Sequence, residues 1–506
     1  MKRFKALKLR PPKAVSPTHA NLDTADTALG REIDSRAPED GSLSGHKLLP
    51  HGKDAFAARV LLARSAERTL DVQYYIWHDD LSGSLLLDEL DAAAKRGVRV
   101  RLIVDDIGTS RLDARFAILA EQPNFEVRIY NPCVVRWPKP VNYLFAFKRL
   151  NFRMHAKSFT ADSQATIVGG RNIGDEYFAA RKEGQFADLD VLAVGAIVPE
   201  VAKAFDAYWN GSHVHPIENI ARRVTSATRR AVERARVRLA ISTRAERYRK
   251  DVRQRRLFGE MIDGTISMTW ACSRLINHDY RDGGRGQGPT DLSTLMPAGF
   301  EQPCRELDVI SGYFVPTAAG TAQLAELSRS GVRVRVLTNS FAATDVGFVH
   351  TGYAPCRPPL LAAGVKLFEM PAPDDKPKTA AKFVRATSAR ARALRDEGRS
   401  LHAKTYGVDG KQVYVGSANF DPRSAHLNTE MGLLIDSPRM ARELSQSFDR
   451  DISENVYCLS LGEDGRVRWT DARDDDPQAE PTEPGTTVFS RMLVSLLSRL
   501  PIERYL

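Results

Sequence analysis

Two segments of the chain carry the same ionisable and amide residues at the same spacing. Each contains a histidine, a lysine two residues later, an aspartate five residues after the lysine and an asparagine ten residues after the aspartate. These residues are His155, Lys157, Asp162 and Asn172 in the first segment, and His402, Lys404, Asp409 and Asn419 in the second. An isolated His-x-Lys is uninformative, because a single histidine on a strand is more often structural. Its repetition at identical spacing indicates a site built from both copies.

The spacing also predicts which side chains share a face. Residues i and i+2 of a strand point to the same side of a sheet, so each His is expected beside its Lys, with the intervening Ala opposite. Small residues stand shortly before each Asn and allow the backbone to turn or approach closely. They are Gly169 and Gly170 in the first segment, and Gly416 and Ser417 in the second.

These residue types suit the transfer of a phosphodiester. The two ammonium groups can neutralise the non-bridging oxygens of the anion, and the two Asn amides can donate hydrogen bonds to them. A neutral imidazole can attack phosphorus to form a phosphohistidine. The second imidazole can protonate the leaving oxygen and later deprotonate the incoming alcohol or water. Because the lysines supply the positive charge, we expect neither a metal nor a cofactor.

Carboxylates are expected to fix the tautomer and orientation of the two imidazoles. We predict this role for Glu430, on the strand after the second segment, and for Asp188, at the corresponding place after the first. Asp190 shares the strand face of Asp188 and is the alternative to it. Asp162 and Asp409 are instead expected to hold hairpin turns through local hydrogen bonds.

The elements around the two segments are repeated as well. The apolar run LDVQYYIW begins at Leu70, and LDVISGYFVP begins at Leu307. In each copy a helical stretch then ends at a glycine, Gly97 or Gly331, before a Val-rich strand. This alternation predicts an α/β fold with two lobes of similar design, each a mixed β-sheet flanked by helices. The lobes are expected to be pseudo-two-fold related, with the active site at their interface.

Five parts are expected along the chain. They are a loosely packed polar N-terminal arm (1–48), a first lobe with its motif at 155–172 (49–215), a basic connector (216–300), a second lobe with its motif at 402–419 (301–460), and an acidic, Pro-containing linker with an amphipathic C-terminal segment (461–506). The first half of the connector, from Arg222 to Arg256, is Arg-rich and predicts helix.

Composition narrows the class of partner. The formal charge of +10 indicates an anionic partner, either a membrane surface or nucleic acid. No apolar run reaches the length of a transmembrane helix, and the basic start lacks the apolar stretch of a signal peptide. The cysteines lack metal-ligand spacing and are expected to be free thiols. They are Cys133, Cys272, Cys304, Cys356 and Cys458.

Two segments favour lipid over nucleic acid. The C-terminal stretch VFSRMLVSLLSRL has apolar residues and two arginines spaced for a helix that lies in a headgroup layer, although a core-packing helix is the alternative. The Arg-rich connector could hold anionic headgroups. Because Tyr248 is almost its only aromatic residue, base stacking has little support, and we expect no specific nucleic-acid partner.

The paired His-x-Lys-x4-Asp-x6-Gly-(Gly/Ser)-x-Asn pattern resembles the HKD signature of the phospholipase D superfamily. Longer segments, among them DVQYYIW, VGGRNIGDEYF, FADLDVLAVG and NFDPRSAHLNTEMG, resemble the bacterial cardiolipin synthase C group. The resemblance runs from about residue 48 to the end of the chain. The paired motif is highly specific for the superfamily, whereas the longer segments are moderately specific for the group.

The resemblance implies an activity and a role for each histidine. His155 would be the nucleophile and His402 the general acid and base. The enzyme would transfer a phosphatidyl group to phosphatidylglycerol, giving cardiolipin, with phosphatidylethanolamine as the donor in some members and a helper protein in some. It would act as a peripheral protein of the bacterial inner membrane, on a side that the sequence does not specify.

Three alternatives stay open at this point. A phospholipase D hydrolase that releases phosphatidic acid would use every residue named above and differ only in admitting water. A nuclease or phosphodiesterase of the same superfamily would share the paired motif. A non-catalytic scaffold is the third, and the intact His, Lys and Asn of both copies argue against it.

Overall fold

A computed structural model describes residues 17–181, 184–278, 292–372, 399–472 and 478–498. The strands of the N-terminal half are β1 (Ser44–Leu49), β2 (Thr69–Ile76), β3 (Arg99–Gly108), β4 (Phe125–Tyr130), β5 (Arg153–Met154), β6 (Ser158–Ala161), β7 (Ala165–Gly169), β8 (Gln185–Ala187), β9 (Asp190–Gly195), β10 (Val214–Pro216) and β11 (Thr269–Ala271). Those of the C-terminal half are β12 (Ser273–Asn277), β13 (Glu306–Ser311), β14 (Arg333–Asn339), β15 (Lys366–Met370), β16 (Arg399–Leu401), β17 (Lys404–Val408), β18 (Gln412–Gly416), β19 (Asn428–Thr429), β20 (Met431–Asp436), β21 (Tyr457–Leu461), β22 (Val467–Asp471) and β23 (Ala479–Glu480).

Helices alternate with these strands. The N-terminal helices are α1 (Ala28–Asp34), α2 (Gly52–Ser65), α3 (Leu81–Lys95), α4 (Asp113–Leu119), α5 (Tyr143–Asn151), α6 (Val198–Trp209), α7 (Ser226–Ala240), α8 (Thr243–Arg253) and α9 (Arg256–Ile262). The C-terminal helices are α10 (Leu292–Leu295), α11 (Thr317–Arg329), α12 (Val349–Tyr353), α13 (Arg357–Ala362), α14 (Pro422–His426), α15 (Pro438–Asn455) and α16 (Val488–Leu497). Within the described ranges, none of the helices has the length and apolar character needed to cross a bilayer.

Two large mixed sheets form the two lobes. The first has the strand order β10-β4-β3-β2-β6-β7-β9-β1-β11, and the second has the order β12-β20-β18-β17-β13-β14-β15-β21-β22-β23. Each contains a parallel trio, β2-β3-β4 in one and β13-β14-β15 in the other, beside an antiparallel hairpin, β6-β7 or β17-β18. This repeated order confirms the predicted α/β fold of two similar lobes.

The helices that connect the first two strands of each parallel trio end at a glycine, as the repeat predicts. Helix α3 stops at Lys95 and helix α11 at Arg329, and Gly97 and Gly331 follow with φ angles of +100° and +98°. A left-handed backbone of this kind is the usual helix stop, and it favours glycine because a Cβ is disfavoured there. The strands β3 and β14 then begin within two residues of these glycines.

The lobes share one of three apolar cores. Val168 and Val191 of the first sheet and Val415 and Leu433 of the second belong to a single buried cluster. Helices α6 and α15 cover this cluster with buried residues such as Val201 and Leu444. The other two clusters each lie within one lobe. The shared core therefore fixes one sheet against the other and holds the interface in place.

The prediction of a loosely packed N-terminal arm is wrong for its described part, 17–48, while 1–16 lies outside the described residues. Strand β1 pairs with β9 and β11 inside the first sheet. Thr24 and Thr27 are buried, and the Thr24 hydroxyl donates to the carbonyl of Asp162. The polar composition of this region did not predict its packing, because its buried hydroxyls are satisfied by hydrogen bonds, that of Thr24 to the lobe and that of Thr27 to the carbonyl of Thr24.

The predicted connector is part of both lobes. Its helices are present as expected, but α8 packs Ala245, Tyr248 and Val252 into the core of the first lobe. Strand β11 joins the first sheet, and β12 joins the second after a single intervening residue. The boundaries predicted at 216 and 300 therefore do not separate independent units.

The predicted linker after residue 460 is also wrong in its first part. Strands β21, β22 and β23 extend the second sheet beyond β15. Glu483, in the acidic stretch, is buried and accepts hydrogen bonds from Arg357 and from the backbone of Phe341. Helix α16 follows as predicted, whereas 473–477 and 499–506 lie outside the described residues.

Equivalent buried ion pairs brace the two sheets. Asp71 of β2 accepts two hydrogen bonds of 2.7 Å from Arg101 of β3, and Asp308 of β13 accepts bonds of 2.7 and 2.6 Å from Arg335 of β14. All four side chains are nearly inaccessible to solvent. Each bidentate pair lies across neighbouring parallel strands, so the two lobes are stabilised in the same way.

Removing one partner of these pairs should be costly. We expect Asp71→Ala and Asp308→Ala each to lower the free energy of unfolding by up to about 3–5 kcal/mol, because a buried guanidinium loses its bidentate carboxylate. Among the described residues, Arg101 then keeps only its ion pair with Asp206, and Arg335 only its ion pair with Asp449. Denaturant unfolding measures this loss. Glu89→Ala, which removes the partner of the half-exposed Arg64, is the matched control and should cost less than about 1 kcal/mol. Equal losses in the three variants would contradict the assignment.

Candidate active site

Two short parallel strand pairs between the lobes place the histidines. Strand β5 pairs with β19 of the second lobe, and β8 pairs with β16 of the second lobe. The backbone N–H of His155, directly after β5, donates to the carbonyl of Thr429 at 2.9 Å. The N–H of His402, directly after β16, donates to the carbonyl of Ala187 at 2.8 Å. The two motifs thus meet at the interface, each entering it from its own lobe.

Each imidazole is bonded to a carboxylate of the other lobe. Nδ1 of His155 lies 2.8 Å from Oε2 of Glu430, and Nδ1 of His402 lies 2.6 Å from Oδ2 of Asp188. The crossing follows from the strand pairs, because Glu430 comes directly after β19 and Asp188 directly after β8. With Nδ1 bonded in this way, Nε2 of each ring is the nitrogen left for chemistry.

The lysines lie at the base of the site. His155 and His402 are 7% and 9% exposed, whereas Lys157 and Lys404 are each 1% exposed, so the imidazoles are the more accessible groups. Each Nζ donates to the backbone carbonyl of its own motif's histidine, and Nζ of Lys404 also lies 3.1 Å from Nδ1 of His402. The predicted pairing of His with Lys is present, but both histidines stand in the irregular backbone just before β6 and β17.

The two Asn residues line the same region. The Asn172 amide donates to the hydroxyl of Tyr177 at 3.0 Å and accepts from the N–H of Ile76 at 3.2 Å. Asn419 is buried, and its Oδ1 has no hydrogen-bond partner among the described residues. The following residues, Ile173 and Phe420, bridge to the segments just after β2 and β13, which fixes both amides near the strand ends.

Burial of so much positive charge sets the proton affinities of the site. Desolvation lowers the pKa of Lys157 to about 7 and also lowers the pKa of Lys404, while nearby carboxylates oppose both shifts. Desolvation and the two lysines hold the pKa of His155 well below its usual range. The pKa of His402 is lowered by desolvation and by Lys404, but the charge and hydrogen bond of Asp188 raise it.

The pKa values of the two carboxylates also differ from each other. The pKa of Asp188 is lowered to about 2 because His402, Lys404 and Arg171 outweigh its desolvation. Desolvation dominates at Glu430 and raises its pKa, although Lys157 and the Ser417 hydroxyl oppose this shift. The pair of His402 and Asp188 is therefore the more strongly ionic of the two.

The small residues before each Asn make room for these carboxylates. A Cβ on Gly170 would lie 2.2 Å from Oδ1 of Asp188, and one on Gly169 would lie 2.3 Å from Oδ1 of Asp190. A Cβ on Gly416 would lie 2.3 Å from the hydroxyl of Tyr414. Ser417 does more than provide space, because its hydroxyl donates to Glu430 at 2.5 Å.

The remaining acidic residues of the motifs are structural. Asp162 accepts from the N–H groups of Glu67, Arg68 and Thr69, and Asp409 accepts from those of 304–306. The predicted structural role agrees with this geometry, but the expectation of purely local bonds is wrong. Both carboxylates instead tie the hairpin to the segment that enters β2 or β13.

Asp190, the alternative to Asp188, lies away from the histidines. Its carboxylate is 2.9 Å from the guanidinium of Arg59 and 3.4 Å from that of Arg171, and it accepts from the N–H of Arg171. This places Asp190 in a buried ion-pair cluster behind the site, whereas Asp188 reaches His402.

Four further residues near the histidines were missed by the sequence reasoning. Tyr75 lies edge-on to His155 at 5.1 Å, while Tyr177 and Phe186 each lie 5.1 Å from His402. Arg423 of α14 donates to the side chain and carbonyl of Asn151, and its charge contributes to the low pKa of His155. All four stand in the quoted segments DVQYYIW, VGGRNIGDEYF, FADLDVLAVG and NFDPRSAHLNTEMG, which was the available signal.

Three residues near the site are of types that can bind a metal ion. Within the described ranges, the donor atoms of His78, Asp80 and Glu176 lie close enough together to share an ion. They are already engaged, since His78 lies 2.9 Å from Glu176, and Asp80 caps helix α3 and accepts from the N–H of Asp175. The cysteines, as expected, are free thiols.

Comparison with known proteins identifies the family. Residues 61–209 and 300–452 match the family described as cardiolipin synthase, PLD-like domain. Cardiolipin synthase C of Escherichia coli K12 is 42% identical over 464 residues, which cover 89% of this chain and 93% of that protein. A cardiolipin synthase of Staphylococcus aureus is 26% identical over 428 residues, covering 84% and 70%. The chain belongs to the cardiolipin synthase family of phospholipase D-like proteins, and the resemblance read from its motifs is confirmed.

A solved structure supports the fold. The crystal structure of phosphatidylserine synthase from Haemophilus influenzae Rd KW20 aligns with a TM-score of 0.56 at 15% identity, covering 94% of this chain and all of that one. At this identity the likeness concerns the two-lobed fold alone. The family match identifies the chain as a phosphatidyltransferase of the phospholipase D superfamily.

The ionic character of the Asp188–His402 pair can be tested directly. We expect Asp188→Asn to lower the pKa of His402, because the carboxylate charge and hydrogen bond that raise this pKa are lost. NMR titration of labelled histidines measures the shift, with His402→Ala supplying the assignment. His46, whose burial lowers its pKa to about 4, is the internal control and should not move. An unchanged or raised pKa at His402 would contradict the crossed pairing.

Proposed function

We propose that the chain makes cardiolipin by transferring a phosphatidyl group from a phospholipid donor to phosphatidylglycerol, through a phosphohistidine on His155. The observation that carries this proposal is the pair of imidazoles at one interface, each oriented through Nδ1 by a carboxylate of the other lobe. The family supports phospholipids as the substrates. Phosphatidylethanolamine is the proposed donor.

The unequal surroundings of the histidines support their different roles. His155 has the more strongly lowered pKa, so its neutral form is available at neutral pH to attack phosphorus through Nε2. Desolvation lowers the pKa of His402 as well, but the ionised Asp188 opposes this shift, so His402 takes up a proton more readily than His155 and suits a general acid. The proposed assignment is therefore His155 as nucleophile and His402 as general acid and base.

The proposed reaction has two balanced steps. Nε2 of His155 attacks phosphorus, the bond to the donor headgroup oxygen breaks, and His402 gives that oxygen a proton. The hydroxyl of phosphatidylglycerol then loses its proton to His402 and attacks the phosphohistidine, which breaks the P–N bond and frees His155. Lys157 and Lys404 would hold the non-bridging oxygens, and Asn172 and Asn419 would donate hydrogen bonds to them.

The lysines support an anionic substrate. Two ammonium groups at 1% exposure pay a desolvation penalty that their partial carboxylate partners do not fully remove, as the lowered pKa values show. A bound phosphodiester would restore the missing negative charge and raise both pKa values. The charge of the site is thus complementary to a phosphodiester anion.

Exposed apolar residues support a peripheral position at the bacterial inner membrane. On helix α16, Val488, Phe489, Met492 and Leu496 are all exposed, and they recur at the spacing of one helix face. This arrangement suits the proposed contact of the C-terminal helix with a headgroup layer. We also propose that the membrane surface is anionic and that a helper protein takes part in the reaction.

Separate substitutions of the histidines should distinguish their roles. His155→Ala is expected to abolish turnover and the covalent phosphoenzyme. His402→Ala is expected to slow turnover of natural phospholipids about 100- to 10,000-fold but to retain phosphoenzyme formation from a phosphatidyl ester of p-nitrophenol, which leaves without a general acid. Acid-quench trapping of labelled enzyme measures both. The exposed His19→Ala is the control, and a phosphoenzyme formed by His155→Ala would refute the nucleophile.

The product identifies the activity. Purified protein is incubated in a chelator with labelled phosphatidylglycerol, with and without phosphatidylethanolamine, and the lipids are then resolved. We expect cardiolipin, with a higher yield when phosphatidylethanolamine is present. Phosphatidic acid as the sole product would make the protein a hydrolase, and activity only after a divalent ion is added would contradict the metal-free scheme.

A further inference from the structure

The segment between β4 and the first motif has its apolar side chains on the outside. Trp137 is 87% exposed and Leu144 is 86% exposed, and Val141, Phe145 and Phe147 are exposed as well. Residues 131–152, called here the docking segment, contain four basic residues and no acidic residue. These bases are Arg136, Lys139, Lys148 and Arg149. A cluster of exposed large apolar residues with basic neighbours is unusual for a surface that faces only water.

Buried polar contacts hold this segment in a defined shape. The side chain of Asn142 is buried and bonds both the N–H and the carbonyl of Val135 at 2.8 Å. The carboxylate of Asp106 in β3 accepts from the N–H of Cys133, from Arg136 and from Lys139 at 2.6–2.9 Å. The polar side chains thus point inward while the apolar ones point outward, which is the reverse of a water-facing helix.

The docking segment lies at the active-site edge of its lobe. It begins where β4 ends, on the edge at which the parallel strands β2 and β3 also end, and it leads through β5 into His155. Its last helical residue, Asn151, is tied to the second lobe by two hydrogen bonds of 2.9 Å from Arg423. The exposed apolar residues are therefore attached to both lobes next to the catalytic cleft.

We infer that the docking segment inserts its apolar side chains into the surface of an anionic phospholipid bilayer and so holds the cleft against its substrate. This inference rests on the proposed function for the identity of the substrate. The apolar side chains of 137–147 supply the insertion, and exposed Lys148 meets the anionic headgroups. The bilayer is favoured over a protein partner because the segment combines aromatic and aliphatic residues with basic charge alone.

Quenching of Trp137 fluorescence measures how deeply this residue enters the bilayer. In a His155→Ala background, vesicles of phosphatidylglycerol with brominated acyl chains are expected to quench the tryptophan emission of the full chain. Trp137→Phe should bind the vesicles with less than a twofold change yet lose most of the quenching, because Trp77, Trp209 and Trp469 are buried and Trp270 packs against the core of the first lobe. Equal quenching with and without Trp137 would overturn the inference.

Binding strength gives a second test. Leu144→Ser/Phe145→Ser is expected to weaken sedimentation with phosphatidylglycerol vesicles at least tenfold. It should also slow turnover on vesicles while sparing turnover of the same lipids in detergent micelles. Ile241→Ser/Ile262→Ser removes similarly exposed apolar side chains elsewhere and should change neither. Equal losses in both double variants, or unchanged vesicle binding in the first, would overturn the inference, as would binding that requires an added protein.

These outcomes are separable from those of the proposed function. Quenching and sedimentation need no turnover, so they can succeed in a protein that makes no cardiolipin. A protein that makes cardiolipin in micelles but shows no role for the docking segment on vesicles would keep the function and lose the inference. An unchanged unfolding midpoint in both double variants establishes that they are folded.

Discussion

The hydrogen bond from each histidine to a carboxylate of the opposite lobe is the constraint on which the rest of the structure depends. Glu430 can orient His155 only if β19 pairs with β5, and Asp188 can orient His402 only if β8 pairs with β16. Neither lobe therefore holds a complete site. The shared apolar core and the tethers across the interface serve to keep two sheets in register to within hydrogen-bond distances.

A nearly symmetric scaffold nevertheless gives two unlike histidines. The equivalent positions before each Asn hold Gly170, which leaves room for Asp188, and Ser417, which donates to Glu430. The two carboxylates also differ in pKa, because His402, Lys404 and Arg171 outweigh desolvation at Asp188, whereas desolvation dominates at Glu430 although Ser417 opposes it. Differences in the charges around each carboxylate are therefore enough to give the two imidazoles different proton affinities.

The sequence predicted the motif residues because each stands at the same offset in both copies. It predicted both orienting carboxylates from the segment that follows each motif, although their distances from the motif histidines differ between the copies. It did not predict that the carboxylates cross between lobes, since β5, β8, β16 and β19 are too short to leave a periodic pattern. The strands β1, β11 and β12 were missed for a different reason. Their residues are mixed in polarity and their partners lie far away in the chain, so local periodicity carries little information about them.

Arg423 links the surface of the protein to its chemistry. Its guanidinium bonds the end of the docking segment at Asn151, and the same charge helps to keep the pKa of His155 low. The residue belongs to α14 of the second lobe, three residues beyond the bridge formed by Phe420 next to Asn419. One side chain of the second lobe therefore braces the segment proposed to meet the lipid and favours the neutral form of His155, the proposed nucleophile. A displacement of that segment would change the position of His155, because the strand that follows the segment is also the strand that places His155 against Glu430.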